Sequence, residues 1–129
     1  MKRLAGLLLP PMFLLVAGGA PVLAAGPGSW AHIDRFSHVV LVDANYVAPQ
    51  SCWRVASTRR GAPAGANAGG DIPVTMTMTR SGSCAPAQKL LRGGTNVGFQ
   101  QMGAVVRILF VGPDGKVVKT ERVAIESEQ

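Results

Sequence analysis

The clearest pattern in the chain is a strict two-residue alternation over residues 72–80. Val74, Met76 and Met78 fall on one side, and Thr75, Thr77 and Thr79 on the other. A period of two belongs to a strand with one buried and one solvated face, so the segment predicts a β-strand. Residues 52–58 alternate as well, with Trp53, Val55 and Ser57 set against Arg54, Ala56 and Thr58. Residues 38–43 form a short β-branched run, which predicts a buried strand. Near the end of the chain, residues 104–111 and 116–125 flank Gly112-Pro113-Asp114-Gly115. Proline presets the first turn position and glycine accepts the left-handed one, so these two runs predict a hairpin. In it, Val106, Ile108 and Phe110 are expected to meet Val117, Val123 and Ile125.

The intervening stretches are less regular. Residues 60–70 are mostly Gly and Ala and predict a long mobile loop. Residues 87–92 have the makings of one helical turn, which Gly93-Gly94 would stop, and residues 96–100 suggest a short strand. Five to seven short strands and no long helix predict an all-β domain. The architecture expected is a small immunoglobulin-like sandwich, with a small open barrel as the alternative.

The first residues follow a different rule. Lys2 and Arg3 precede an apolar run over residues 4–16, Gly18-Gly19 and Pro21 break it, and Val22-Leu23-Ala24 offers modest side chains before a cut. This is the three-part pattern of a secretory signal cleaved after Ala24. Pro10-Pro11 and the glycine pair leave the run short of the ~20 clean residues a membrane span needs. The organisation expected is a signal peptide over 1–24, a flexible linker over 25–35, one β domain over 36–126 and a tail over 127–129. No stable membrane anchor is expected after cleavage, and the protein is expected in the periplasm or secreted.

Export changes the reading of Cys52 and Cys84, the only two cysteines. An even count in an oxidising compartment predicts a disulfide. Closing the loop of about 32 residues between the two cysteines stabilises by about 3–4 kcal/mol in the chain-entropy model. If the two alternating strands pair antiparallel, opposed cysteines at the base of the hairpin would set Thr58 against Met78.

Charge and motifs narrow the function. Without the first 24 residues, 11 Lys and Arg face 7 acidic residues, a net +4. That favours anionic partners, but Arg59-Arg60 is the longest basic run, so nucleic acid is not an expected ligand. The only histidines are His32 and His38, and Ser81-Gly82-Ser83 lacks the strand-to-helix setting of a nucleophile elbow. No phosphate-cradling loop precedes a helix. The chain is therefore expected not to be an enzyme, and to need no cofactor.

The sharpest small-site pattern is Met76-Thr77-Met78, since two thioethers on one strand face suit Cu(I). His38, and also His32, Met102 and Trp53, would supply further ligands. The Met-x-Met strand looks like that of small periplasmic copper carriers, except that Ile72 and Pro73 stand where those place a Trp. Methionine is also an adaptable core packer, and packing is the expected role of the pair. A periplasmic Cu(I)-binding protein is thus the alternative function.

The order of parts carries one further likeness. A strand with Gln50-Ser51-Cys52-Trp53-Arg54-Val55 precedes a Gly-rich loop, a threonine-rich strand and a hairpin ending Thr120-Glu121-Arg122-Val123. In layout this resembles the immunoglobulin-like periplasmic accessory proteins of curli assembly, which keep amyloid-forming fibre subunits soluble. The resemblance implies a non-enzymatic binding protein with chaperone character, whose partner is an extended, amyloid-forming export subunit. It implies engagement through a strand edge or a basic sheet face carrying Arg54, Arg107 and Arg122, with Trp53 nearby. As a residue, Trp53 also fits a core position packed on the disulfide.

Overall fold

The computed structural model of the protein describes residues 28–63, 66, 69–101 and 103–126. The expected signal segment, residues 25–27 of the expected linker, residues 64, 65, 67 and 68 of the glycine-rich loop, Met102 and the tail 127–129 lie outside the described residues. Seven strands and no helix make up the described residues: β1 (Trp30–Ile33), β2 (Val40–Ala48), β3 (Trp53–Arg60), β4 (Ile72–Arg80), β5 (Lys89–Asn96), β6 (Val105–Val111) and β7 (Val117–Glu126). The all-β expectation holds.

The strands form one continuous order, β3-β4-β6-β7-β1-β2-β5. It curls until its two end strands, β3 and β5, pack against each other. The result lies between a small sandwich and a nearly closed barrel. β7 joins the halves, pairing antiparallel with β6 and then, at Ile125 and Glu126, parallel with β1. The β4–β6 pair is also parallel.

The alternation read from β4 is the one the fold uses. Val74, Met76 and Met78 are buried at 0–1 % exposure, with Val106, Ile108 and Phe110 beside them. Val40, Val42, Ala44, Leu91 and Ile125 close the core from the other half. Tyr46 stacks on both Trp53 and Phe110, with ring centroids 6.2 and 5.3 Å apart, and burial raises its hydroxyl pKa. Burying a side chain such as Phe110 contributes on the order of 2–3 kcal/mol.

Five expectations need correction. Residues 30–33 are not linker but strand β1, whose Ala31 is fully buried. β2 starts at Val40 and runs on to Ala48, because Ala44 and Ala48 keep the buried positions in phase. The stretch read as a helical turn is the start of β5, where Leu91, Gly93 and Thr95 alternate with Arg92, Gly94 and Asn96. Residues 97–100 are not strand; Gly98 has a φ of 74° and turns the chain. In the last hairpin, a register shift at Phe110/Val111 sets Val117 opposite Val111 instead of the Val106, Ile108 and Phe110 face, and Val117 and Val118 are exposed.

The disulfide between Cys52 and Cys84 is present, but the hairpin register differs from that expected. Trp53 faces Arg80 and Val55 faces Met78; after a bulge at Ala56, Thr58 faces Met76. A bulge inserts one unpaired residue and reverses the inward parity of everything beyond it. Thr58 therefore joins Trp53 and Val55 on the inner side, and Ser57 turns outward. The cysteines sit beyond the ladder, across a turn in which Gly82 takes a φ of 62°. A disulfide fits an oxidising, non-cytoplasmic compartment. No helix among the described residues is long and apolar enough to cross a membrane.

Candidate functional site

The most exposed large apolar side chains lie at one end of the barrel. Phe36 is 85 % exposed and Phe99 74 %. Each is held out by a defined turn. Between β1 and β2, the Asp34 carboxylate accepts from the Ser37 amide at 2.8 Å and the Ser37 hydroxyl at 2.7 Å. These two bonds hold the Asp34 carboxyl below its usual pKa. The His38 amide donates to the Asp34 carbonyl, the Asp34 amide to the Val39 carbonyl, and His38 itself takes a φ of 63°. Phe36 sits at the tip of this closed turn, beside exposed Arg35.

Phe99 is presented by the chain leaving β5. The Gly98 amide donates to Asn96 Oδ1 at 3.1 Å, and Gln100 Nε2 donates to the Val97 carbonyl at 2.8 Å. Val97 is buried, which forces the neighbouring side chains outward. The two turns are stitched together, since Val40 donates to the Gly98 carbonyl and Val97 to the Val40 carbonyl, both at 2.9 Å. Arg60 reaches in from β3 and donates to the Val97 carbonyl at 3.0 Å. Two phenylalanines thus share one end of the domain on mutually braced loops.

The residues singled out in the sequence are spread differently. Arg107 and Arg122 are cross-strand partners on β6 and β7, and both converge on Asp71. Asp71 Oδ2 lies 2.9 Å from Arg107 Nη2 and 2.8 Å from Arg122 Nε. The Arg122 hydrogen bond leads in lowering the Asp71 pKa, with Arg107 adding to it. Arg54 is exposed, but it faces Thr79 on β4, whereas Arg107 faces Pro73, six residues along the same strand. The three arginines do not form one free basic patch. Trp53 is 8 % exposed, and its indole donates to Gln50 Oε1 at 3.2 Å.

Met76 and Met78 point into the core, while His38 lies in the exposed turn at the barrel end. The structure does not bring these three together. His32 is 9 % exposed on β1, with Nδ1 3.8 Å from Asp43 Oδ2. Among the described residues, no group of three or more His, Cys, Asp or Glu side chains is placed to hold a metal ion.

Comparison of the chain with protein-family models, with curated proteins and with solved structures finds no match. The geometry therefore carries the functional argument alone. Sequence reasoning missed Phe36 and Phe99 because each is a single aromatic in an aperiodic stretch. The available signal was their polar and glycine setting, Asp-x-x-Ser around Phe36 and Asn-x-Gly before Phe99.

Proposed function

We propose that the protein is a non-enzymatic binding protein of the periplasm or extracellular space, which takes an extended, apolar segment of a protein partner at the Phe36/Phe99 end. The observation that carries this reading is the pair of phenylalanines, each about three-quarters exposed or more, on loops tied to one another. Exposed apolar side chains held by rigid turns lose little conformational entropy on binding, which favours their use as anchors. As partner class we take an aggregation-prone export subunit of the curli kind, the one that the resemblance in layout implies. Arg35 beside Phe36 and the net positive charge favour a segment with acidic flanks.

The test is the lag time of fibre formation by a curli-type subunit, with the exported protein at substoichiometric ratio. The wild type is expected to lengthen the lag, and Phe36→Ser with Phe99→Ser to abolish that effect with the thermal midpoint unchanged. Apolar capture survives high salt, whereas steering by a basic face is screened over about 10 Å at 0.1 M. The delay is therefore expected to persist at high salt and in Arg54→Glu. A wild-type protein that leaves the lag unchanged at low salt would overturn the proposal.

A further inference from the structure

We infer that the outer face of β1, β2 and β5 carries a second site, a cleft that binds a neutral saccharide with Trp30 as its stacking platform. The strand register builds it. Trp30 lies opposite Asp43, and Asp43 opposite Gly94. One row further along, Asn45 lies opposite Arg92. Because Gly94 has no side chain, the face sinks between these residues into an open cleft of about 460 Å³.

Each wall is fixed. Trp30 Nε1 donates to Glu126 Oε1 at 3.1 Å, and its ring lies on the His32 imidazole, with centroids 3.9 Å apart and planes 21° from parallel. One ring face is thereby covered, and Trp30 is still 43 % exposed. Asn45 is held by two bonds, from Nδ2 to the Gly28 carbonyl at 2.8 Å and from its amide to Ser29 Oγ at 3.0 Å. Asn45 lines the cleft, and the group it has to offer a ligand is its Oδ1 acceptor. The Asp43 side chain is 54 % exposed, and Arg92 is exposed beside it.

The chemistry of the walls selects the ligand class. In the lining itself Asp43 and Arg92 cancel in charge, and the Glu126 carboxylate is engaged by the Trp30 indole, so a simple cation or anion meets a like charge here. Together with the amide they offer both donors and acceptors, which is what sugar hydroxyls require. A hexopyranose with equatorial substituents also presents a flat C–H face, which matches an exposed indole in shape and polarity. Since the cleft is open at the surface, it fits a unit of a longer glycan better than a small molecule needing enclosure.

The experiment titrates the exported protein with cellotetraose and with chitotetraose, read by calorimetry and by tryptophan fluorescence. At least one is expected to bind with Kd of about 0.1–1 mM, the range of a few hydrogen bonds and one stacking contact. Trp53 is buried, so the fluorescence change is expected to come from Trp30 and to vanish in Trp30→Phe, while calorimetric binding is partly kept. Trp30→Ala is expected to weaken binding at least tenfold. A Cβ at Gly94 meets its nearest atoms at 3.6 and 3.7 Å, ordinary contacts, so the first carbon of Gly94→Val fits and its two methyls raise the floor. It is expected to abolish binding at an unchanged thermal midpoint. Silence toward both sugars at about 10 mM, undiminished binding by Trp30→Ala, or uptake of free alanine in place of either sugar would overturn the inference.

Discussion

Between β6 and β7 the strands are joined along their length by an antiparallel ladder running from Val105 to Val111, whereas β3 and β5 close the barrel without pairing. At the first seam, stability is spread over many equivalent backbone bonds. At the second it is concentrated in a few particular features. The Cys52–Cys84 disulfide ties the start of β3 to the segment leading into β5. Arg60 bonds the Val97 carbonyl at the far end. Between them, Gly93 lets β5 approach the Thr58 hydroxyl so closely that an added Cβ would overlap Thr58 Oγ1. A laddered seam tolerates single substitutions, and a seam closed by three devices does not.

The largest effect expected from breaking this contrast is at the disulfide. Cys52→Ser with Cys84→Ser is expected to lower unfolding free energy by about 3–4 kcal/mol, read from urea denaturation. Loss of the covalent tie is also expected to speed amide exchange in β3 and β5 ahead of β6 and β7. Uniform acceleration across all strands would show that the two seams are not distinct.

Next comes Gly93→Ala, for which overpacking against Thr58 and the Met76 methyl, 3.1 Å from the new Cβ, is expected to cost about 1–3 kcal/mol. Thr58→Ala in the same chain should recover part of that loss, since it removes the overlapped oxygen. The double-mutant cycle gives the coupling directly, and strict additivity would refute the proposed contact. The neighbouring Gly94→Ala, whose Cβ points outward, is the control and is expected to be near neutral.

How much of this was legible in the sequence depends on how local each feature is. β4 could be read outright, because its Val/Met and Thr positions alternate without interruption. The disulfide could be read from the expectation of export and an even count. β5 could not, because Gly93-Gly94 reads locally as a helix stop, whereas its purpose is the close approach of a strand 35 residues earlier at Thr58. The bulge at Ala56 leaves no mark in the residue types, so the hairpin register came out wrong although the bond was right. The pairing of Arg107 and Arg122 with Asp71 was hidden for the same reason. Asp71 meets Arg107 and Arg122 only through the parallel β4–β6 pairing, and no period in the sequence reports that. At the Phe36/Phe99 end each aromatic was visible, but their adjacency rests on bonds between Val40, Val97 and Gly98.

A smaller effect is expected at Thr58 alone. Its Oγ1 is buried and has no hydrogen-bond partner among the described residues. An unsatisfied buried hydroxyl costs about 1–3 kcal/mol relative to a satisfied one. Thr58→Val keeps the shape and removes the polar atom, so a gain of up to about 1 kcal/mol is expected, seen as a higher urea midpoint with unchanged slope. A loss would mean that the hydroxyl is hydrated at the seam.

The smallest expected effect lies on the laddered side, where Asp71 bridges Arg107 on β6 and Arg122 on β7. The two guanidinium groups stand directly opposite each other, and like charges in that position oppose pairing unless a carboxylate lies between them. The Asp71 pKa is lowered from 3.8, first by its hydrogen bond to Arg122. A carboxyl with a depressed folded-state pKa adds stability that is present above its unfolded value, and loses it as pH falls through the folded value. Asp71→Asn is therefore expected to lower the urea midpoint slightly at pH 7, and to make no difference once the pH is well below 3.8. The ladder beneath keeps the change small, because both strands remain paired by their backbones when the charge is gone. A gap between wild type and Asp71→Asn that stays constant from pH 7 down through the acid range would show that the carboxylate acts by shape rather than charge. A gap as large as that for the disulfide would mean that the laddered seam is no more tolerant than the open one.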